Sequence, residues 1–561
     1  MAIIDKDFVK AYVRHEDGSY HHSGTLVWGD AVEVLDDDGS HPHYTRVRCS
    51  ELFEGDRNRF IRGNAPLRPD GQPGILRLSM VDVQQGDGLV LETPKDRQII
   101  LIDGGDNKLF ARHLAARFLH RRTRADQRLP VDAIVITHGD GDHFDGLNDI
   151  RRSEALPQTD DEGFPNRKRI FIRPERILHN GLVKRPNSGR HDAELLGPTK
   201  DHDGRLYAID LVDDPRAVPH AERNQHFRYW CQSLDHWEAD GHAIAMRRVH
   251  ADQDPSDVFD FLDDSLSIEI LGPFEESVPS EQAGAVQPAL RFFDTPAKSA
   301  VLHLEHGSPG VGSPSSSHTI NGHSIALRLT YGNVRIALTG DMTHDAMAHM
   351  VQTLEARHGP EAAASMLEAD IVKAPHHGSG DFSLKVLKQM NPIVALVSSG
   401  DESEMKEYIH PRATLMASLG QSMPADGAGL VFVTELAAFF KYRKQAYTRS
   451  DLVRFFQTLK LADGQAVDGV DTDTPTFSRN DVIDLLEGDR SKLDADSPRL
   501  EGFESFERTN FGIIHLRTDG ERVLVFTHSG RAGLNEAYRF TVGRDAAGQR
   551  VVRFADEVET Q

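Results

Sequence analysis

Four side chains able to bind a metal ion stand within one short segment, HGDGDH at residues 138–143. They are His138, Asp140, Asp142 and His143. The segment directly follows the β-branched run Asp132 to Ile136, a pattern typical of a buried strand. Imidazoles and carboxylates at this density would repel or desolvate one another without a compensating cation. The segment therefore predicts a metal-binding loop at a strand end; the alternative is a solvated Asp/Gly turn with incidental histidines.

Further candidate ligands occur where other predicted strands begin or end. Asp341 closes the motif TGD after an apolar run, and His376 and His377 follow another apolar run through Ala-Pro. His318 and His323 precede a third. Taken singly, each has an ordinary explanation, such as a helix N-cap for Asp341. Together with the HGDGDH loop they predict one site assembled from several strand ends.

The elements that must position these groups alternate between strand and helix patterns. Predicted strands are at residues 75–83, 88–92, 98–102, 132–136, 266–273, 324–330, 334–338, 370–373 and 393–398. Predicted helices are at residues 109–118, 344–357 and 382–390. This alternation indicates a layered α/β fold whose pattern repeats in two halves.

The same patterns divide the chain into segments. Residues 1–70 show short strands separated by polar turns and predict a small SH3-like β module, with a plain spacer as the alternative. The main domain covers residues 75–435 with an irregular insertion at 150–265. A helical insertion is expected at 436–510. Residues 511–561 are expected to supply a hairpin that returns to the main sheet, followed by a tail.

Composition excludes several classes of protein. The 561 residues carry 64 Lys and Arg against 87 Asp and Glu, a net charge of −23, which argues against general coating of nucleic acid. The two cysteines, Cys49 and Cys231, are far apart and provide neither a disulfide framework nor a Cys-ligated metal site. No apolar run is long enough to span a membrane, and the first residues lack a signal-peptide pattern. We expect a cytoplasmic protein without a membrane association.

The motifs together resemble the metallo-β-lactamase superfamily. Its signature HxHxDH is present as HGDGDH, with Asp140 in place of the second histidine. The segments MVDVQQGDGLVLETP, IILIDGG, NGHSIALRLTYGNVRIALTGD, ADIVKAPHHGS and IHP resemble the hydrolase domain of ComEC-type competence proteins, although the membrane channel is missing. The resemblance covers roughly residues 75–435 and 511–530. It implies an αββα sandwich, here preceded by an SH3-like β-barrel.

The resemblance also implies a centre with two divalent metal ions. His138 and Asp140 would hold one ion, Asp142 and His143 the other, and Asp341 would bridge them. Either His318 or His323 would supply a further ligand, and His376, with His377 as the alternate, would supply the last. Asp103 in LIDGG would orient the ligand loop by hydrogen bonding. His410 in IHP would lie near the substrate; a surface histidine before Pro411 is the alternative.

Such a centre implies a metal-dependent hydrolase that attacks with a metal-bound hydroxide, with Asp142 as proton acceptor and His376 or His410 stabilising charge. The carboxylate of Asp140 hardens its position and favours Mn²⁺ without excluding Zn²⁺. We expect a phosphodiesterase or nuclease acting on DNA. A small-molecule hydrolase acting on a cyclic nucleotide, phosphoester or lactone is the alternative.

Two features bear on partners. The basic run that includes Arg167, Lys168 and Arg169 could follow a nucleic acid strand if it faces the metals, with Phe171 stacking on a base. A solvated loop is the alternative. The SH3-like module could recruit a protein partner. The oligomeric state is left open by the sequence.

Overall fold

The structure is a computed structural model of the chain. It describes residues 2–35, 41, 43–49, 51, 57–69, 73–159, 163–164, 166–282, 284–295, 313–400, 410–424, 429–435, 512–528, 537–546, 548–555 and 558–559. The helical insertion expected at 436–510 lies outside the described residues. Within the described part, no helix is both long enough and apolar enough to cross a membrane.

The N-terminal residues form one antiparallel sheet of seven strands. They are β1 (Ala2–Ile4), β2 (Phe8–Arg14), β3 (Tyr20–Val27), β4 (Ala31–Val34), β5 (Tyr44–Arg48), β6 (Asn58–Arg62) and β7 (Leu67–Pro69). Their order is β3-β2-β6-β5-β4-β1-β7, and no pairing among the described residues joins β3 to β7. The strands were predicted, but the closed SH3-like barrel is not confirmed. Alternation predicts strands, whereas closure depends on pairing of the two edge strands, which the spacing does not encode.

The first half of the main domain runs from residue 76 to residue 258. In chain order its elements are β8 (Leu76–Met80), β9 (Gly88–Glu92), β10 (Ile99–Asp103), α1 (Leu109–Arg117), β11 (Leu129–Val131), β12 (Ala133–Ile136), α2 (Gly141–Ser153), β13 (Ile172–Pro174), β14 (Arg176–His179), β15 (Thr199–His202), β16 (Arg205–Ala208), α3 (Gln225–Glu238), β17 (Ala245–Arg248) and α4 (Pro255–Val258).

The second half follows from residue 266, and the chain then returns to the first sheet. Its elements are β18 (Leu266–Gly272), β19 (Glu276–Pro279), β20 (Val286–Arg291), β21 (Phe293–Asp294), β22 (Pro314–Ser315), α5 (Ser316–Gly322), β23 (Ala326–Tyr331), β24 (Val334–Leu338), α6 (His344–His358), α7 (Pro360–Leu367), β25 (Ile371–Lys373), α8 (Leu384–Met390), β26 (Val394–Val397), α9 (Ala413–Ser422), β27 (Leu430–Val433), β28 (Ile513–Thr518), β29 (Arg522–His528), β30 (Ala537–Arg544) and β31 (Arg550–Phe554).

Two sheets and two sets of helices form four layers. The first sheet has the order β17-β14-β12-β10-β9-β8-β28-β29-β30-β31, and the second has the order β18-β23-β24-β25-β26-β27. Apolar side chains of both sheets, including Leu78, Ile102 and Ile336, meet in one core. Helices α1 to α3 cover the outer face of the first sheet, and α6 to α9 cover that of the second. Each such buried side chain contributes roughly 1.5 to 3 kcal/mol.

Residues 150–265 differ from the irregular insertion expected from the sequence. Strand β14 pairs in parallel with β12, and β17 pairs in parallel with β14, so both belong to the first sheet. Helix α3 buries Trp230 and Leu234 against that sheet. These strands are short and rich in arginine, so their apolar pattern is too brief to identify from sequence. Among the described residues of this range, two small sheets lie apart from the two main sheets: β13 with β11, and β15 and β16 with β20 and β19.

The C-terminal residues join the first sheet as four strands, where the sequence indicated one hairpin. Strand β28 pairs antiparallel with β8, and β29, β30 and β31 extend the sheet from there. The N-terminal sheet packs on this part: Arg517 bonds Asp30 at 2.7 Å, and Trp28 shares a core with Phe526. The two ends of the chain therefore meet on one edge of the main domain.

Candidate metal centre

Loops at the carboxyl ends of four strands converge at one edge of the sandwich. Asp103 is the last residue of β10, and His138 follows β12. On the facing sheet, Asp341 follows β24 and His377 follows β25. Carboxyl ends of neighbouring strands share an edge, so the polar groups of both sheets meet between the layers.

Three buried ligand atoms face one another at the centre of this edge. Nε2 of His143 lies 3.1 Å from Nε2 of His377 and 3.3 Å from Oδ2 of Asp341. Nε2 of His377 lies 2.9 Å from the same oxygen. The three side chains are at most 2% exposed. Two imidazole nitrogens and a carboxylate oxygen in this arrangement fit a divalent cation such as Zn²⁺ or Mn²⁺.

A second layer of carboxylates fixes the two imidazole rings. Oδ2 of Asp103 lies 2.8 Å from Nδ1 of His143, and Thr137 donates to both oxygens of Asp103. Oδ1 of Asp87 lies 3.2 Å from Nδ1 of His377. A carboxylate on Nδ1 orients the ring and leaves Nε2 available to a metal. Both rings therefore present Nε2 to Asp341.

Asp87 is itself paired with a buried lysine. Nζ of Lys373 contacts Oδ2 of Asp87, donates to the carbonyl of Gly340 at 2.8 Å and lies 3.5 Å from Oδ1 of Asp341. Asp87, His143, Asp341 and His377 offer ligand atoms that all lie within 4.8 Å of one another. Because Lys373 and Nδ1 of His377 contact Asp87, its oxygens are already paired, and His143, Asp341 and His377 are the candidate metal ligands of the four.

The charges of this cluster support one another. Burial lowers the pKa of His143, but Asp341 and Asp103 outweigh burial and hold it well above its ordinary value. Burial similarly opposes protonation of His377, yet Asp341 and Asp87 raise its pKa to about 9. Burial raises the pKa of Asp341, and His377 and His143 reverse the effect and hold it well below its ordinary value. The imidazoles and the carboxylates of the cluster thus stabilise the charged forms of one another.

Three other predicted residues border the three ligand atoms. Oδ2 of Asp142 lies 3.7 Å from Nε2 of His377 and accepts from the amide of Gln85 at 3.3 Å. Nε2 of His376 lies 3.8 Å from Oδ2 of Asp341, and its Nδ1 has no hydrogen-bond partner among the described groups. The ring of His410 lies 6.2 Å from that of His376. The structure therefore brings Asp142 and His410 to the centre, together with both adjacent histidines, His376 and His377.

The first metal position implied by the resemblance is built differently. Nδ1 of His138 faces the hydroxyls of Thr137 and Ser324, at 3.2 and 3.3 Å. With its amide nitrogen turned inward, Asn321 donates to Oδ2 of Asp140 at 3.1 Å and lies 3.3 Å from Nε2 of His138. Nζ of Lys184 donates to Oδ1 of Asp140 at 2.5 Å. His138 and Asp140 thus face hydrogen-bond donors.

The two remaining histidine candidates lie away from the three ligand atoms. Nε2 of His323 contacts the carbonyl of Arg291 at 2.8 Å, and its ring packs on Phe293. Burial lowers its pKa to about 4. His318 contacts Ser315 at 3.4 Å and Asp381 at 3.7 Å. Neither ring is brought to the cluster, because both lie on or just after α5 and face neighbouring loops.

Three residues in the loops of the centre have unusual backbone conformations. Asp103, His376 and His377 have φ values of 57°, 48° and 50°, a region that side chains rarely adopt. Such conformations concentrate at functional sites, where surrounding contacts enforce them. Gly86 has φ of 100°, and a Cβ there would collide with the carbonyl oxygen of Asp142. The HGDGDH loop can pack this closely against the segment before β9 because residue 86 has no side chain.

Sequence reasoning did not assign four residues of this site. Asp87, Lys373 and Asn321 lie inside motifs that carried the resemblance, in QQGDG, IVKAP and NGHS, but their roles depend on contacts across the fold. For Lys373 the available signal was a lysine within an otherwise apolar motif. Lys184 had no such signal: it stands in an irregular stretch and meets Asp140 only through folding.

The basic segment lies away from the metal centre. Nε of Arg169 donates to the carbonyl of Glu154, directly after the end of α2, while the metal loop is at the start of α2. A helix of 13 residues spans about 20 Å. Phe171 is buried, with the guanidinium of Arg169 over its ring at 4.6 Å. Phe171 is therefore unavailable to stack on a base, which the sequence had left as one possibility beside a solvated loop.

Comparison with known protein families identifies the class of the domain. Residues 81–234 match the family model of the Metallo-beta-lactamase superfamily. No curated protein matches the chain significantly. The matched segment contains the HGDGDH loop and Asp103 but ends before Asp341 and His377, which the fold supplies from the second sheet. The chain therefore contains a metallo-β-lactamase superfamily domain with the corresponding fold, and superfamily membership together with the buried His/Asp cluster supports a metal-dependent hydrolase.

Proposed function

We propose that this protein is a divalent-metal-dependent phosphodiesterase. The observation that carries the proposal is the convergence of Nε2 of His143, Nε2 of His377 and Oδ2 of Asp341 at 2.9 to 3.3 Å in a buried edge of the sandwich. Nε2 of His376 lies 3.8 Å from Oδ2 of Asp341, and Oδ2 of Asp142 lies 3.7 Å from Nε2 of His377. Such a donor set fits Mn²⁺ or Zn²⁺.

The chain supplies the remaining parts of a hydrolytic site. A bound divalent ion would lower the pKa of a coordinated water and polarise a phosphoryl oxygen. Asp103 and Asp87 hold the two imidazole rings, so the ligand atoms need no reorganisation. Asp142, 28% exposed, is the carboxylate of the cluster that faces solvent, and we assign it as the proton acceptor.

Two neutral histidines border the place where substrate would enter. Burial, with His377 and His376 nearby, lowers the pKa of His410 to about 3, and burial also lowers the pKa of His376. A neutral imidazole can donate an N–H to a developing negative oxygen. We assign His376 and His410 to this role. Because both rings are neutral, no charged side chain has to be buried to perform it.

DNA is the substrate class that the resemblance to ComEC-type hydrolases favours, and a nuclease is our first proposal. The position of Arg169 and Phe171 at the far end of α2 removes one argument for an open nucleic-acid groove. The net charge of −23 also disfavours long polyanions. These observations favour, as the second candidate, a hydrolase of small phosphodiesters such as cyclic nucleotides.

A substrate panel separates the two candidates. Purified protein is incubated with linear DNA, RNA, cyclic nucleotides and bis(p-nitrophenyl) phosphate, each with Mn²⁺, with Zn²⁺ and with chelator. Cleavage of DNA that depends on metal supports the nuclease. Hydrolysis confined to the small phosphodiesters supports the second candidate. No hydrolysis of any phosphodiester with either metal contradicts the proposal, and Asp142→Asn serves as the matched inactive control.

A further inference from the structure

We propose that the ammonium group of Lys184 takes the place of one of the two metal ions that the sequence predicts, so that the centre binds a single divalent ion tightly. The inference rests on the proposed metal-dependent function and refines it. Nζ of Lys184 lies 2.5 Å from Oδ1 of Asp140, the residue implied as a ligand of the first ion.

Both oxygens of Asp140 are occupied by hydrogen-bond donors. Lys184 donates to Oδ1, and Asn321, with its amide nitrogen turned inward, donates to Oδ2 at 3.1 Å. The same amide nitrogen lies 3.3 Å from Nε2 of His138. A metal ion at this position would have to displace these donors from the two residues that should ligate it.

The position at His143, His377 and Asp341 differs from the position at Asp140 in the groups that face its candidate ligand atoms. Nε2 of His143, Nε2 of His377 and Oδ2 of Asp341 point at one another. The buried Lys373 lies 3.5 Å from the other oxygen of Asp341, so that Oδ2 faces only the imidazoles. Here the candidate ligand atoms face one another, whereas at the other position both oxygens of Asp140 accept hydrogen bonds from Lys184 and Asn321.

The first position also lacks a full set of ligands. His318 and His323, the candidates for its third ligand, contact Asp381 and Arg291. A tightly bound metal in a closed protein site takes four ligands as a rule. His138, Asp140 and the bridging Asp341 would supply three at most, and the free oxygen of Asp341 already lies 3.5 Å from Nζ of Lys373. A divalent ion there would also be repelled by the ammonium of Lys184.

Two variants of Lys184 remove its charge while keeping a long side chain at the position. Its side chain is 24% exposed, and its backbone carbonyl, which a substitution leaves in place, accepts from the amide of Asn224 before α3 at 3.0 Å. Lys184→Met keeps the length of the side chain and removes its charge. Lys184→Gln provides a second, polar variant.

The test is metal binding to metal-free full-length protein. Isothermal titration with Mn²⁺ gives the stoichiometry, and electron paramagnetic resonance distinguishes isolated Mn²⁺ from an exchange-coupled pair. We expect one tight ion in the wild type, with the spectrum of isolated ions. In Lys184→Met and Lys184→Gln we expect a second ion whose affinity rises by roughly 30-fold or more, with a coupled spectrum. Lys200→Met, on β15, should behave as the wild type.

Each contrary result has a separate meaning. Two tight ions in the wild type, or a single ion in both Lys184 variants, overturns the assignment of Lys184 while the metal-dependent function stands. Absence of Mn²⁺ and Zn²⁺ binding in the wild type and in both variants overturns the metal-dependent function itself, and with it this inference. Circular dichroism of each variant confirms that the fold is retained.

Discussion

Oδ2 of Asp103 lies 2.8 Å from Nδ1 of His143, and this contact turns the opposite ring nitrogen toward Asp341. Asp103 ends a strand of the first sheet, whereas Asp341 follows a strand of the second. One hydrogen bond thus sets the geometry of a site assembled across the interface of two sheets.

Replacing Asp103 by Asn should weaken metal binding by about 10- to 100-fold, the range found when the partner of a metal-binding histidine is lost. The amide can still meet Thr137 but cannot hold the ring of His143 as a carboxylate does. Isothermal titration with Zn²⁺ measures the effect. Asp126→Asn, at an exposed loop position, is the control. Equal affinity in wild type and Asp103→Asn contradicts the assigned role.

The two adjacent histidines should differ in their effect on metal binding. His377→Ala removes an atom 2.9 Å from Oδ2 of Asp341 and should abolish measurable binding. His376→Ala removes an atom 3.8 Å away on a side chain that is 23% exposed, and we expect a loss of roughly 10-fold. His323→Gln should bind metal as the wild type does, because His323 contacts Arg291. A larger loss in His376→Ala than in His377→Ala would reverse the assignment.

Neutralising Arg167, Lys168 and Arg169 together as glutamines should leave hydrolysis unchanged. The sequence alone suggested the opposite, but the segment lies at the far end of α2 from the metal loop. Rates on DNA and on bis(p-nitrophenyl) phosphate, each at two salt concentrations, test the point. A selective loss of DNA cleavage in the triple variant would show that this segment contacts the polymer.

Glu92 should make folding stability sensitive to acid. Burial raises its pKa, but Arg117 and Arg77 outweigh burial and lower it from 4.5 to about 2. A carboxylate whose pKa is lower in the folded than in the unfolded state stabilises the fold at pH values above its unfolded-state pKa. This stabilisation is lost as the pH falls from about 4.5 toward 2. Glu92→Gln should therefore cost about 3 kcal/mol at neutral pH, and less below pH 3.

Urea unfolding of Glu92→Gln between pH 2 and pH 8 measures this dependence. Glu33→Gln is the control, since the carboxylate of Glu33 is 51% exposed in its pair with Arg48 and should matter by less than about 1 kcal/mol. A destabilisation by Glu92→Gln that does not change with pH would contradict the electrostatic explanation.

The fold was largely predictable because its signals are local. Apolar runs marked most strands of both sheets, and the ligand loop after β12 stood out by its composition alone. Strands β14 and β17 escaped detection because each has only four residues, RILH and AMRR. Each contains only two apolar residues, and so short a segment gives no clear alternation. Closure of the N-terminal sheet was also beyond local patterns, because it depends on the pairing of β3 with β7.

The site was predictable where one strand end carries the ligands and unpredictable where distant segments meet. His143 and Asp341 followed from motifs, but the choice between His376 and His377 depends on ring positions that spacing does not determine. The pairing of Lys184 with Asp140 joins segments 44 residues apart in the chain. No sequence pattern indicates such a contact, although it decides what the HGDGDH loop can bind.

The metal content of the purified protein tests the central claim most directly. Elemental analysis of the full-length chain after loading with Mn²⁺ or Zn²⁺ and gel filtration should find about one tightly held ion per chain, and Asp341→Ala should retain none, because its Oδ2 faces both imidazoles. His410→Ala should keep the ion of the wild type. Only trace metal in the loaded wild type, or undiminished metal in Asp341→Ala, would contradict the account.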